Sequence, residues 1–382
     1  MNAETKETFS IEEYKRLDKS VLTKRINRIR SKCGSKLLIL SHHYQKQEIF
    51  ELADAHGDSF QLSQIAAQNE QCEAIFFCGV HFMAETADII ANSPKRLAQR
   101  NGKRINVYLP DLNAGCPMAD FATLAQVEDC WTQLSDVIDT KQLIPITYVN
   151  SKAEIKAFCG RHNGLACTSS NAKAVLQWAF SQNCQVLFLP DQHLGRNTAI
   201  EMGVPRSEMV LWSFDVPTLT DKLGGNTPEA IKNSRIILWN GYCKVHQLFA
   251  EEQIEMQRSR NAQVKIIVHP ECNLSVVQSA DISGSTSKMI EVIGQSQSAS
   301  SWAVGTEWRM IERLIKDNPD KQICSLASVP RLCESMNMIT LANLCWALEN
   351  WDRGTAVNLI RVPDSVAQDA GICLERMLEH KG

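Results

Sequence analysis

The feature that most constrains this chain is a series of short, almost uninterrupted apolar runs that stop abruptly on polar residues. KLLILSHH, EAIFFCGV, INVYLPD, PITYVN, QVLFLPD, RIILWNG, KIIVHPE and the weaker KQICSL are too continuously apolar for strands with one wet face. They suit strands covered on both sides, as in a parallel sheet. Longer amphipathic stretches lie between them, among them DSFQLSQIAAQN, SNAKAVLQWAFSQN, TSKMIEVIGQSQ and TEWRMIERLIKDN. Strand alternating with helix specifies an α/β fold. A charged helix, SIEEYKRLDKSVLTKRINRIRSK, is expected ahead of the first strand. Helices over LANLCWALENW and SVAQDAGICLERMLEH are expected to pack back on the body.

Three strand-to-helix junctions resemble one another. Gly57-Asp58-Ser59, Thr168-Ser169-Ser170-Asn171 and Gly284-Ser285-Thr286 each open a helix with small or hydroxyl residues, the types that cap helix N-termini. Their nearly even spacing predicts three repeated α/β units of roughly 100 residues each. With 382 residues the chain is long enough for two or three domains.

Charge narrows the function. Net charge is -3 with no Lys/Arg block, so no electrostatic footprint for nucleic acid or an anionic membrane is present. The first twenty residues mix both signs without an apolar core, which is not a secretory signal, and a cytoplasmic protein is expected. Fourteen cysteines in such a protein are not a disulfide framework. None forms a C-x-x-C pair, so any metal site must draw on cysteines far apart in sequence. Cys72, Cys78, Cys184 and Cys345 sit among apolar neighbours and are expected to be small core residues.

In open α/β sheets the site lies beyond the carboxyl ends of the strands. The residues there are His42 and Tyr44, Asp111 to Cys116, Tyr148 and Asn150, Cys243 and His246, and His269 and Glu271. The usual glycine-rich dinucleotide and nucleoside triphosphate loops are missing. SGSTSKM offers an alternative, because Gly284, Ser285 and Thr286 at a helix start can hold a phosphate, although a plain helix cap reads the same way.

The strings SHHYQ, GDSFQLS, FCGVHFMAETA, DLNAGCPMAD, YVNS, CTSSN, WNGYCKVH, HPEC, SGST and CESMNMIT occur in the order typical of the quinolinate synthase family. The chain resembles that family from about Leu37 to about Ala342. The resemblance implies three similar three-layer αβα domains with parallel sheets about a pseudo-threefold axis, and a 4Fe-4S cluster with the active site at their junction. It divides the chain into 1–118, 119–245, 246–332 and a C-terminal segment 333–382 that carries the last cluster cysteine. The implied reaction condenses iminoaspartate with dihydroxyacetone phosphate to quinolinate, phosphate and water. An aspartate-oxidising enzyme is a possible transient supplier of the first substrate.

The resemblance further implies that Cys116, Cys243 and Cys333 ligate the cluster, whose fourth iron stays open and acts as a Lewis acid. It places His42, Tyr44, Tyr148, Asn150, His246, His269 and Glu271 in the active cavity, with Glu271 the candidate general base and Tyr44, His269 and His246 its acid or orienting partners. Ser59, Ser169, Ser285 and Thr286 are expected to hold carboxylate and phosphate oxygens. Cys272 matches a position that is not a ligand. His43 stands where the family often has Asn, and Asn337 where Lys is common, which touches details around the site. A non-enzymatic iron-sulfur sensor using the same thiolates, or a zinc hydrolase built on His269, Glu271 and His246, are the alternatives.

Overall fold

The computed structural model describes residues 9–214 and 222–380. Its fourteen strands are β1 (Leu37–His42), β2 (Ala55–Gly57), β3 (Ala74–Cys78), β4 (Asn106–Tyr108), β5 (Leu143–Tyr148), β6 (Leu165–Cys167), β7 (Gln185–Leu189), β8 (Met209–Trp212), β9 (Ile236–Trp239), β10 (Lys265–Val268), β11 (Ile282–Ser283), β12 (Ser301–Gly305), β13 (Gln322–Ser325) and β14 (Leu359–Ile360). They form three sheets, β14-β4-β3-β1-β2, β6-β5-β7-β9-β8 and β11-β10-β12-β13. Every pairing is parallel except β14 on β4. The α/β class follows, and all eight apolar runs are strands.

The three sheets share an order over their first three strands: the second lies beside the first and the third on its other side. Beyond the third comes the fourth strand in the first and third sheets, β4 and β13, whereas in the second sheet the fifth, β9, takes that place and the fourth, β8, lies at the edge. The registers align the sheets residue by residue: Leu40, Ile146 and Ile267 pair with Ala55, Leu165 and Ile282 respectively. Two positions further along each first strand stand His42, Tyr148 and His269, and two beyond those stand Tyr44, Asn150 and Glu271.

The repeat extends to how backbone groups are satisfied. Asp54 accepts the N–H of Ile39 at 2.8 Å, and Asp281 accepts that of Ile266 at 2.6 Å, where the ladder has ended and a donor would be left over. Each carboxylate also meets an arginine of the helix before its sheet, Arg30 at 2.6 Å and Arg258 at 3.1 Å. In the second sheet the corresponding strand residue is Pro145, which has no N–H, and Gly164 takes the aspartate's place. A Cβ there would lie 1.9 Å from the Pro145 carbonyl.

Two compact units emerge. One holds the described residues up to Gly115 together with Cys333–Val362, and contains the first sheet. The other runs from Cys116 to Leu332 and resumes at Pro363, and contains the other two sheets. In the first unit the helix Leu341–Asp352 packs on the helix Lys19–Cys33 and on β3. In the second, the helix Asp364–Glu379 lies along the helix Ala153–Arg161 and β6. The expected single N-terminal helix is two, Ile11–Lys15 and Lys19–Cys33, because Asp18 adopts an extended conformation between them. No helix among the described residues is long and apolar enough to cross a membrane.

Candidate active site

Within the second unit the ends of β5, β9 and β10 bring their polar residues together. β10 stops at Val268 because Pro270 cannot extend a ladder. His269 and Glu271 follow it, 3% and 2% exposed. Nδ1 of His246 lies 2.6 Å from Oε2 of Glu271, and its Nε2 is 3.3 Å from the Thr306 hydroxyl after β12. The rings of His246 and His269 stack at 4.3 Å. Tyr148, at the end of β5, hydrogen-bonds to the Glu271 carboxylate.

Protonation follows from these contacts. Nδ1 of His269 accepts the N–H of Glu271 at 3.3 Å, so its proton sits on Nε2, and the 3.3 Å approach of Nδ1 to Oε2 is no ion pair. Burial, then the charge of His246, pushes His269 down to about 3, and it is neutral at physiological pH. Burial opposes ionisation of Glu271, but the neighbouring imidazoles and the Tyr148 hydroxyl outweigh it and hold the carboxyl below its usual range. A second carboxyl behaves oppositely. Asp191, closing β7 and fully buried, is pushed well up by burial and by the charge of Glu271. Its Oδ1 accepts the Leu194 N–H at 2.6 Å. Oδ2 of Asp191 and Oε1 of Glu271 take no hydrogen bond among the described residues. Two buried carboxyls whose surroundings push their ionisation in opposite directions are an acid-base arrangement.

Cys243 completes this side. Its Sγ, a ring nitrogen of His246 and a carboxylate oxygen of Glu271 lie within 4.8 Å of one another, a thiolate-imidazole-carboxylate set that suits a transition metal. Cys116, in the same unit, and Cys333, in the other, share two features with Cys243: each is half-buried and lies outside helix and strand. Each also follows the strand that lies beyond the third of its sheet: β4, β9 and β13. Cys272 differs. It is fully buried in the core with Ile266, Val268 and Val276, and its thiol is pushed well up by burial. Cys72, Cys78 and Cys345 are buried as expected, whereas Cys184 is only half-buried.

The other expected residues fall as follows. In the first unit, Tyr44 donates its N–H to Nδ1 of His42 at 3.1 Å, the same turn that His269 and Glu271 make, and the rings meet edge to face at 4.7 Å. His43 is buried, and Asn337 donates to the Cys333 carbonyl at 2.9 Å. Ser59 opens the helix Ser59–Gln68, but Asp58 caps it and takes the N–H groups of Phe60 and Gln61, both at 2.9 Å. In the second unit, Ser169 lies in the turn before the helix Ala172–Ser181, and Asn150 has a buried Oδ1 without a hydrogen bond among the described residues. Ser285 caps the helix Thr286–Gln295 by accepting the Lys288 N–H at 3.3 Å, and Thr286 begins it. Asp191 and Thr306 are new to the site. Asp191 ends QVLFLPD and was readable as another strand-end residue. Thr306 follows β12, a strand that Ser-rich flanks hide.

Residues 24–379 match the family described as quinolinate synthetase A protein. The chain belongs to that family. Among curated relatives, the quinolinate synthase of Rhodopirellula baltica is 50% identical over 380 residues, covering 100% of this chain and 96% of that protein. Those of Lysinibacillus sphaericus, 47% identical, and Anoxybacillus flavithermus, 48% identical, cover 97% and 96% of this chain, and 96% and 95% of their own lengths. The quinolinate synthetase A family comprises enzymes of NAD biosynthesis, and this chain is such an enzyme.

Proposed function

We propose that the chain condenses iminoaspartate with dihydroxyacetone phosphate, forming quinolinate and releasing phosphate and two waters. The observation that carries this reading is the buried Glu271, held below the usual carboxyl range against its own burial by His269, His246 and Tyr148, in a chain of the quinolinate synthetase A family. Closing a pyridine ring from these substrates requires removal of carbon-bound protons and departure of hydroxyl groups. Glu271 is the base for the first task. Neutral His269, with its proton on Nε2, donates to oxygen as it leaves or as a carbonyl develops charge. His42 carries the same tautomer because Tyr44 N–H occupies its Nδ1, and it serves as a second donor.

Substrate oxygens fall to the helix starts. Ser285 uses its oxygen as a cap and keeps its O–H to donate, and Thr286 adds a second hydroxyl at the positive end of the helix dipole. This start takes the phosphate. At Ser59 the carboxylate of Asp58 already holds the N–H donors and opposes a dianion, which leaves Ser59, with Ser169, Tyr148 and Asn150, to the substrate carboxylates.

The residues present fit a 4Fe-4S cluster: three half-buried cysteines outside regular structure, Cys116, Cys243 and Cys333, with Cys243 beside Glu271. Bound there, the cluster supplies Lewis acidity at the iron that the three thiolates leave open. Anaerobic reconstitution with iron and sulfide, followed by assay of quinolinate from the two substrates, tests the reading. Cluster binding without quinolinate formation would leave only a sensor-like protein.

A further inference from the structure

The segment after β10 presents three successive buried carbonyls, of Pro270, Glu271 and Cys272, in a stretch that has left the sheet ladder. Each is taken by a side-chain amide from elsewhere in the same unit. Nδ2 of Asn197 donates to the carbonyls of Pro270 and Cys272, both at 2.8 Å. Nε2 of Gln247 donates to the Glu271 carbonyl at 2.9 Å. Asn197 is 5% exposed, in the helix Gln192–Glu201 that follows β7 of the neighbouring sheet. Gln247 sits in the short turn His246–Leu248.

The arrangement selects one backbone path. A planar amide offers two donors at a fixed angle, and Asn197 spends both on carbonyls two residues apart, so it fits only one curvature at Glu271. Gln247 adds a constraint of another kind. It is the residue after His246, so one turn both sets the imidazole 2.6 Å from Oε2 and holds the main chain that carries that carboxylate.

We infer that Asn197 and Gln247 are positioning residues for the reaction, fixing the Glu271 carboxylate against His246. The inference rests on the reading of Glu271 as the base. Neither residue touches substrate or a reacting atom. Neither was marked by the sequence, where an amide within a helix or turn is unremarkable.

The test uses the reconstituted holoenzyme with Asn197→Leu and Gln247→Leu, each in the wild-type and in the Glu271→Asp background, with Glu271→Gln as reference. In the wild-type background kcat is expected to fall by about 10- to 100-fold, the scale of a misplaced catalytic group. KM for dihydroxyacetone phosphate and the iron and sulfide content should stay within about twofold. With Glu271→Asp the carboxylate is already displaced, and each Leu variant should lower kcat by less than about twofold more. Unchanged kcat in the Leu variants beside an impaired Glu271→Gln overturns this inference alone, as does an equal loss in both backgrounds. Wild-type kcat in Glu271→Gln overturns the reading of Glu271 as base and this inference with it. Should Asn197→Leu not fold, Gln247→Leu, at a half-buried position, decides.

Discussion

At the scale of residues, what separates the cysteines is where each thiol lies. Cys116→Ala, Cys243→Ala and Cys333→Ala are each expected to abolish iron and sulfide binding, and Cys272→Ala to retain both. Because Cys272 is fully buried, its replacement should cost stability instead, about 1 kcal/mol for a small core side chain. Iron and sulfide analysis of the four variants, with thermal melts, separates the two classes; cluster loss in Cys272→Ala would refute the ligand set. Strand-end residues were legible here because an apolar run shows where it stops, so His42, Tyr148, His269 and Glu271 could be named without coordinates. Their pairing could not. That His246 approaches Oε2 while Tyr148 hydrogen-bonds the same carboxylate depends on loops from separate strands. Asn197 lay wholly outside what the sequence reveals, since its partners are main-chain carbonyls and carry no side-chain signature.

Elements show the repeat most plainly through their ladder ends. Asp281→Ala leaves the Ile266 N–H without its acceptor and removes the Arg258 contact, and is expected to destabilise the second unit by about 1–3 kcal/mol, most of it from the orphaned buried donor. Gly164→Ala should do at least as much harm by overpacking, because the Pro145 carbonyl belongs to a strand and cannot withdraw. Denaturant midpoints of both variants measure this, and an unchanged midpoint in either would show that the ladder end relaxes. The first strands, the third strands β3 and β7 and the amphipathic helices were readable from their periods, whereas β12 was hidden among its serines. The second strands were not readable either: Ala-His-Gly and Ile-Ser are too short and too polar to register, yet their pairing with the first strands sets the register that the sheets have in common.

For the whole molecule, the buried histidines couple folding to pH. His269 is pushed down to about 3, and burial with the charge of Arg196 pushes His193 down to about 4. Unfolded, both titrate near 6.5. Between pH 6.5 and 4 the unfolded chain therefore binds protons that the native state refuses. Their contribution to stability is complete above pH 6.5 and is lost as pH falls, at about 1.4 kcal/mol per pH unit for each histidine. His193→Gln should flatten the pH dependence of the unfolding free energy by that amount between pH 6 and about 4.5; parallel curves for variant and wild type would contradict it. The half-buried cysteines that follow β4, β9 and β13 are spread along the order of synthesis. A ribosome delivers Cys116 and Cys243 well before Cys333, so on the proposed ligand set a nascent chain has no complete metal site, however much iron is at hand. On that proposed ligand set, only a chain translated past its third sheet would keep a cluster, and bound metal would certify that the message was read that far.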